Sequence, residues 1–367
     1  MPSIKYSLVD TPAALVDACD QLQTQSSLFA DTEFMRVRTY TPQLALLQFA
    51  AKDSVLCIDP AAGLDLSPLW AIVMDPQRLK ILHSGKQDYE AFYFTLGDTP
   101  KNLFDTQVAA ALCGHPAQIG YAGLVEARFG ATISKSQTRS DWLKRPLTTA
   151  QLNYAAEDVE YLEPLYEQLC SELAAAGRLE WAIEDSEALT NPSLYRPNPE
   201  MAWQRIKNLQ FAAPAEQARA RHLATWREER SVALDKPRSW ILSDAVLREI
   251  AALNPENLKD LGTVNELPPS TLRKNGDTLL NAINDANEAV RNGSLAPTQN
   301  ERPDQKHKTL LKQLGKVVST RAEELKVPAE ILASKKELNA IILGDRQQRP
   351  LLGWRANEIG QQLLAEL

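Results

Sequence analysis

A chain of 367 residues, 44% hydrophobic and 24% charged, has the composition of an ordinary globular protein and the length for two or three domains. Its apolar runs break well short of the ~18 residues a membrane helix needs, and MPSIKYSLVD lacks the apolar core of a signal peptide. A cytoplasmic protein with no membrane contact is therefore expected. The net charge of −7 is uneven: residues 1–190 carry 14 Lys and Arg against 25 Asp and Glu, a balance of −11 that leaves +4 for the remainder. That asymmetry fits an acidic, cation-binding part joined to a mildly basic accessory part. The four cysteines, Cys19, Cys57, Cys113 and Cys170, show no C-x-x-C spacing, so they indicate buried thiols and neither a disulfide framework nor a zinc site.

In chain order, SSLFADTEF, PQLALLQFA and SVLCIDP predict three strands, with AKD at 51–53 short enough to turn a hairpin between the second and third. RLKILHS and the short NLF before Asp105 predict two more, with helices over 88–96, 105–113 and 121–129. Antiparallel strands followed by strand-helix alternation imply a mixed α/β sheet. A later helix is better marked: Thr148 and Gln151 are spaced as a capping box, and Leu152, Ala155, Val159, Leu162 and Tyr166 follow as a stripe that packs on the sheet. Tyr154 and Asp158 share another face, and Pro164 should kink or end the helix near Glu163. NPSLYRPNPE, residues 191–200, reads as a linker closing the first domain. Beyond it the chain reads as wholly helical. Leu234, Pro237, Ile241, Leu242 and Leu247 are echoed by Leu325, Pro328, Ile331, Leu332 and Leu338, which predicts two modules of one type separated near 292–303. The expected domains are 1–195, 208–292 and 300–367.

Residues i and i+2 of a strand project to one side, so Asp31 and Glu33 should share a space on a strand where lone charges would be costly. Asp88 follows the Ser84-Gly85 turn into a helix, and Asp158 could supply a fourth acid. Four hard oxygen donors suit Mg²⁺ or Mn²⁺. Singly, each acid has a plainer reading: Asp31 as a strand cap, Asp88 as a helix N-cap, and likewise Asp105 and Asp141, for which the capping reading is kept. His83, His115, His222 and His307 form no metal spacing. His83 reads as a hydrogen-bonded structural residue, though its place beside the Ser84-Gly85 turn also makes it a candidate substrate contact. Tyr154 alone would be an ordinary amphipathic-helix residue.

Jointly, DTEF at 31–34, SGKQD at 84–88 and YAAED at 154–158 resemble the three exonuclease motifs of the DEDD superfamily in its tyrosine-containing branch. The chain more closely resembles bacterial ribonuclease D: DTEFMRVRTYTPQLALLQ, FDTQ at 104–107, TRSDWLKRPL at 138–147 and the NYAAED region fall where that family has them. Both helical modules resemble HRDC domains, the first with A-x-D-K-P at 233–237 and the second more degenerate. The resemblance implies an RNase H-like mixed sheet with flanking helices, followed by two all-α HRDC-like domains. It implies a 3′-to-5′ exoribonuclease that releases 5′-mononucleotides from RNA 3′ ends, with tRNA precursors the substrate class and no obligate protein partner. Asp31, Glu33, Asp88 and Asp158 carry over as ligands of two divalent cations, with Asp31 the candidate to bridge them, and Tyr154 as the residue that positions the attacking water. Arg36, Arg38, Lys86, Arg139, Lys144 and Arg145 lie near the motifs and could meet phosphates, while Phe34 and Trp142 could stack on bases. The helical modules would act as nucleic-acid clamps. A DNA 3′-to-5′ exonuclease would share the same acids. A nuclease-inactive RNA-binding module is opposed by the intact acids and tyrosine, and a glycosidase by two acids too close to flank a sugar ring.

Overall fold

In the computed structural model, which describes residues 5–52, 54–134, 136–295 and 304–367, six strands form one sheet. They are β1 (Tyr6–Val9), β2 (Ser27–Met35), β3 (Gln43–Ala50), β4 (Val55–Ile58), β5 (Leu79–Leu82) and β6 (Leu103–Asp105). The order is β1-β4-β3-β2-β5-β6, with β3 antiparallel to β2 and β4 and every other pair parallel. The sheet is therefore mixed, as the spacing predicts. Asp53 of the expected β3-β4 turn lies outside the described residues. The central strands read as nearly continuous apolar runs because both faces are covered. Leu28, Ala30, Leu47 and Phe49 join one core, while Phe29, Ala45 and Leu46 join the other.

Helices α1 (Pro12–Gln23), α2 (Ser67–Val73), α3 (Lys86–Leu96), α4 (Thr106–Leu112), α5 (Tyr121–Phe129), α6 (Thr149–Glu160), α7 (Leu162–Ala175) and α8 (Leu179–Ala188) accompany the sheet. Strand β1, α1 and α2 are elements that the motif-led reading passes over, although Leu15, Ala18, Cys19 and Leu22 of α1 form a buried stripe at helical spacing. The capping box opens α6 as expected, with Gln151 N–H donating to Thr148 Oγ1 and Thr148 N–H donating to Gln151 Oε1. The helix ends earlier than Pro164 would dictate. The break falls at Tyr161, whose N–H donates to the Tyr121 hydroxyl at 2.9 Å, and Pro164 sits in the first turn of α7, where a missing N–H costs nothing.

After α8 no strand occurs among the described residues. Helices α9 (Pro214–Leu234), α10 (Arg238–Ile241), α11 (Asp244–Leu253), α12 (Leu258–Leu261) and α13 (Pro269–Arg291) precede α14 (Gln305–Leu325), α15 (Ala329–Leu332), α16 (Lys335–Ile342), α17 (Gly353–Arg355) and α18 (Gln361–Ala365). The repeat is structural: α10 and α15 are both four-residue helices behind a proline, Pro237 and Pro328. Residues 296–303 of the expected separator lie outside the described residues.

The chain divides into two compact units. Unit 1 comprises Met1–Met35, Pro42–Tyr195 and Gln305–Leu367, and unit 2 comprises Arg36–Thr41 with Arg196–Asp304. The two helical modules thus belong to different units. In unit 1 the module that begins at α14 shares a core with the sheet: Trp354 stacks on Trp181 at 4.3 Å, and Arg355 donates twice to Asp185, each bond 2.6 Å. Arg178 joins the C-terminus of α4 to that of α14 by donating to Leu112 O and Leu325 O. Gly114 is needed at this seam, since its φ is +95° and a Cβ there would lie 2.8 Å from Lys326 O. Unit 2 has its own core around Leu223, Leu247, Ile250, Leu279 and Ile283.

Candidate active site

Strand β2 delivers Asp31 and Glu33 to the same side of the sheet, and α6 crosses that side with Asp158. Carboxylate oxygens of the three lie within 4.8 Å of one another, each residue half-buried. A bulge between Glu33 and Phe34 shifts the register of the pairing with β3 just past the second acid. The cluster is thus set by strand periodicity on one side and by the α6 stripe on the other, because packing Leu152, Ala155 and Val159 inward fixes where Asp158 emerges.

Asp88 stands apart from this trio. It is the third residue of α3, so Gly85 holds the N-cap position and the capping reading does not apply. Its buried carboxylate accepts the Thr32 hydroxyl at 2.5 Å, from the residue between the two strand acids. The launch of α3 is set by Asp105, which accepts Ser84 N–H and Gly85 N–H at 2.9 Å each and also caps α4 through Gln107 N–H. Ser84 takes a left-handed φ of 59° to make that turn. Asp105 is thus the capping residue the sequence predicts. Asp141 also accepts locally, from Leu143 N–H.

Burial dominates the electrostatics. It pushes Asp31 well above the carboxylate range, helped by Asp88, Asp158 and Glu33, and lifts Glu33 to about 9 with Asp158 and Asp88 adding. Burial likewise carries Asp158 to about 7 against the hydrogen bond from Tyr154, and Asp88 to about 6 against the bond from Thr32. The largest charge effects on these four carboxyls come from one another and from Glu157 and Asp105, all negative. Converging hard oxygens that repel one another are the donor set of a divalent cation, so the residues fit one.

Asp158, one turn along α6, and the Thr138 side chain both act on the Tyr154 phenol. Burial and the Asp158 charge raise its pKa, so the phenol stays protonated near neutrality and can orient a group but not deprotonate it. Trp142 packs on Tyr154 with ring centroids 6.0 Å apart and is 2% exposed. The base-stacking expectation for Trp142 is therefore corrected: it is a buried support for Tyr154. Arg145 is likewise engaged, donating to both oxygens of Asp59 at 2.6 Å and to the carbonyls of Ala45 and Trp142. It pins the loop to the β3-β4 region and has no donors directed to a phosphate. His83 is half-buried between Thr106 Oγ1 and Ile119 O, each 2.9 Å away, and both ring nitrogens are thereby engaged. Arg36 turns back to donate to Tyr40 O at 2.7 Å. Phe34 is half-buried after the bulge, and Arg139 is exposed on the loop before Trp142.

Three polar residues at the site escape a motif-led reading: Thr32, Thr138 and Gln48. Gln48 pairs with Asp31 across β2 and β3, is 0% exposed, and neither its Nε2 nor its Oε1 has a hydrogen-bond partner. The signal in the sequence is a single polar residue inside LALLQFA, on a strand buried on both faces.

Residues 6–174 match a family model described as 3'-5' exonuclease, and residues 216–283 match the HRDC domain. Ribonuclease D of Acidiphilium cryptum is 38% identical over 364 residues, covering 97% of this chain and 92% of that protein. Ribonuclease D of Escherichia coli is 32% identical over 98% of each. The chain belongs to the ribonuclease D family. The crystal structure of E. coli RNase D, an exoribonuclease involved in structured RNA processing, superposes with a TM-score of 0.90 over 99% of both chains. The chain is thus a hydrolase, a 3′-to-5′ exoribonuclease, built as a mixed sheet with flanking helices and C-terminal helical modules.

Proposed function

We propose that this protein removes 5′-mononucleotides one at a time from RNA 3′ ends, tRNA precursors among them, by hydrolysis at a two-cation centre. The observation that carries the reading is the trio Asp31, Glu33 and Asp158, whose oxygens converge within 4.8 Å and whose negative charges act on one another. Asp31, Glu33 and Asp158 would hold Mg²⁺ or Mn²⁺, with Asp88 behind Thr32 as the fourth acid. When bound, such ions neutralise the scissile phosphate and make a water acidic enough to attack near neutral pH. Tyr154, fixed by Asp158, Thr138 and the Trp142 ring, orients that water. Glu33 would accept the terminal 3′-hydroxyl, restricting cutting to chain ends. Arg139 and Phe34 are candidates for a phosphate and a base contact, and the helical modules would add grip on the RNA.

The test is nucleotide release from 3′-end-labelled RNA and DNA with Mg²⁺ or Mn²⁺. Asp158→Asn should abolish release while leaving the fold intact, and EDTA should do the same reversibly. Full activity in either condition would sink the metal mechanism, and equal rates on DNA would remove the RNA assignment.

A further inference from the structure

Strands β2, β3 and β4 carry Asp31, Gln48 and Cys57 side by side, since Gln48 is the register partner of both of the others. Paired residues of neighbouring strands project to one face of the sheet. That face is the one α6 covers: Cys57, and Leu46 two residues back along β3, share a core with Leu152, Ala155 and Val159 of α6. Gln48 is thereby enclosed between an acid, a thiol and an apolar helix face. It is 0% exposed, and among the described residues neither Oε1 nor Nε2 of its amide has a hydrogen-bond partner. A buried amide left unpaired lowers stability, and nearly all buried polar groups of folded proteins are paired. A leucine at this position would continue the run Leu46-Leu47 without that cost.

Strand pairing fixes the Asp31 backbone, whereas the direction of its carboxylate depends on side-chain neighbours. Cross-strand partners have Cβ atoms ~5 Å apart, within the span of a glutamine side chain. Of the two partners in the row, Asp31 is the acceptor for an amide N–H, and the Cys57 thiol is a weak donor suited to Oε1. The row therefore favours one orientation of the amide, with Nε2 toward Asp31. We propose that Gln48 is a positioning residue for the reaction: its amide donates to the Asp31 carboxylate when a divalent cation is bound, and so fixes the direction in which Asp31 meets the ion. The proposal rests on the site reading above. Without the cation the unmet amide is destabilising; with it the amide is used. A glutamine kept only for packing would behave in the opposite way.

The experiment uses the full chain and its Gln48→Met and Gln48→Leu variants. Methionine matches glutamine in length and lacks the amide, and leucine repeats the shape that precedes it on β3. Melting is followed in EDTA, Mn²⁺ affinity is measured by calorimetry without RNA, and turnover is followed on a 3′-end-labelled oligoribonucleotide. In EDTA the Gln48→Met protein should melt about 3 °C above the wild type, because an unpaired buried amide has been removed. Its Mn²⁺ affinity should nevertheless fall about tenfold, the scale of loss when a group that orients a metal ligand is removed. Turnover should follow, with kcat down about tenfold and KM changed less than about twofold. Gln48→Leu should show the same three signs. Mn²⁺ affinity within about twofold of the wild type in both variants would overturn the proposal, whatever their melting temperatures. Wild-type protein that takes up no Mn²⁺ would instead refute the site reading, and this proposal with it.

Discussion

At Glu33, burial and the charges of Asp158 and Asp88 lift the carboxyl to about 9, and Asp158 reaches about 7, against ordinary values of 4.5 and 3.8. The folded protein therefore keeps protons that the unfolded chain has already released. Unfolding then loses protons, and stability falls as pH rises through the window from about 4.5 to about 9. The contribution is complete below the unfolded values and gone above the folded ones. Chelator-treated protein should accordingly melt lower at pH 9 than at pH 6, and added Mg²⁺ or Mn²⁺ should flatten that slope. A metal-free melting temperature that climbs between pH 6 and pH 9 would contradict this account. The acids themselves were legible because i, i+2 spacing on a strand and DTEF coincide. Gln48, Thr32 and Thr138 were not, since none carries a distinguishing spacing and their role depends on which neighbour the fold brings up.

Among the elements, α6 is the one most fully written in the chain: cap, stripe and exposed face all follow from local spacing, and the helix places Tyr154 and Asp158 as that spacing requires. The loop before it is the reverse case. Arg145 and Trp142 look like substrate contacts when only charge and aromaticity are visible, and become supports once Asp59 and Tyr154 lie beside them. The C-terminal module gains a different attachment from the separate domain expected, since its side chains share the core of the nuclease sheet. Arg355, its side chain 3% exposed, depends on Asp185 for its charge partner. Asp185→Ala should cost about 3 kcal/mol by leaving that guanidinium buried and unpaired, and Asp185→Asn less. Urea denaturation checks it; an unchanged midpoint in the alanine variant would mean the pair contributes nothing.

For the whole molecule, the two similar helical modules have different attachments. The second shares a core with the sheet and the first has its own. Native-state hydrogen exchange should therefore show amides of α14 and α16 opening with those of α6 and α7, and amides of α9 and α13 opening with a free energy of their own. Exchange of α14 together with α13, apart from α7, would contradict that division.

The chain by itself determined the mixed sheet, the helical second half with its internal repeat, the four acids and the tyrosine. Each rests on short-range periodicity, capping or motif spacing, which the backbone enforces locally. Tertiary structure alone decided which charges are free and which are spent. It set Asp88 behind Thr32, gave Arg145 to Asp59 and His83 to Thr106, joined one helical module to the nuclease core, and bound the β2-β3 connection into the other unit. The reason is that burial and hydrogen-bond partnership are properties of neighbours far apart in sequence, and no local pattern encodes them.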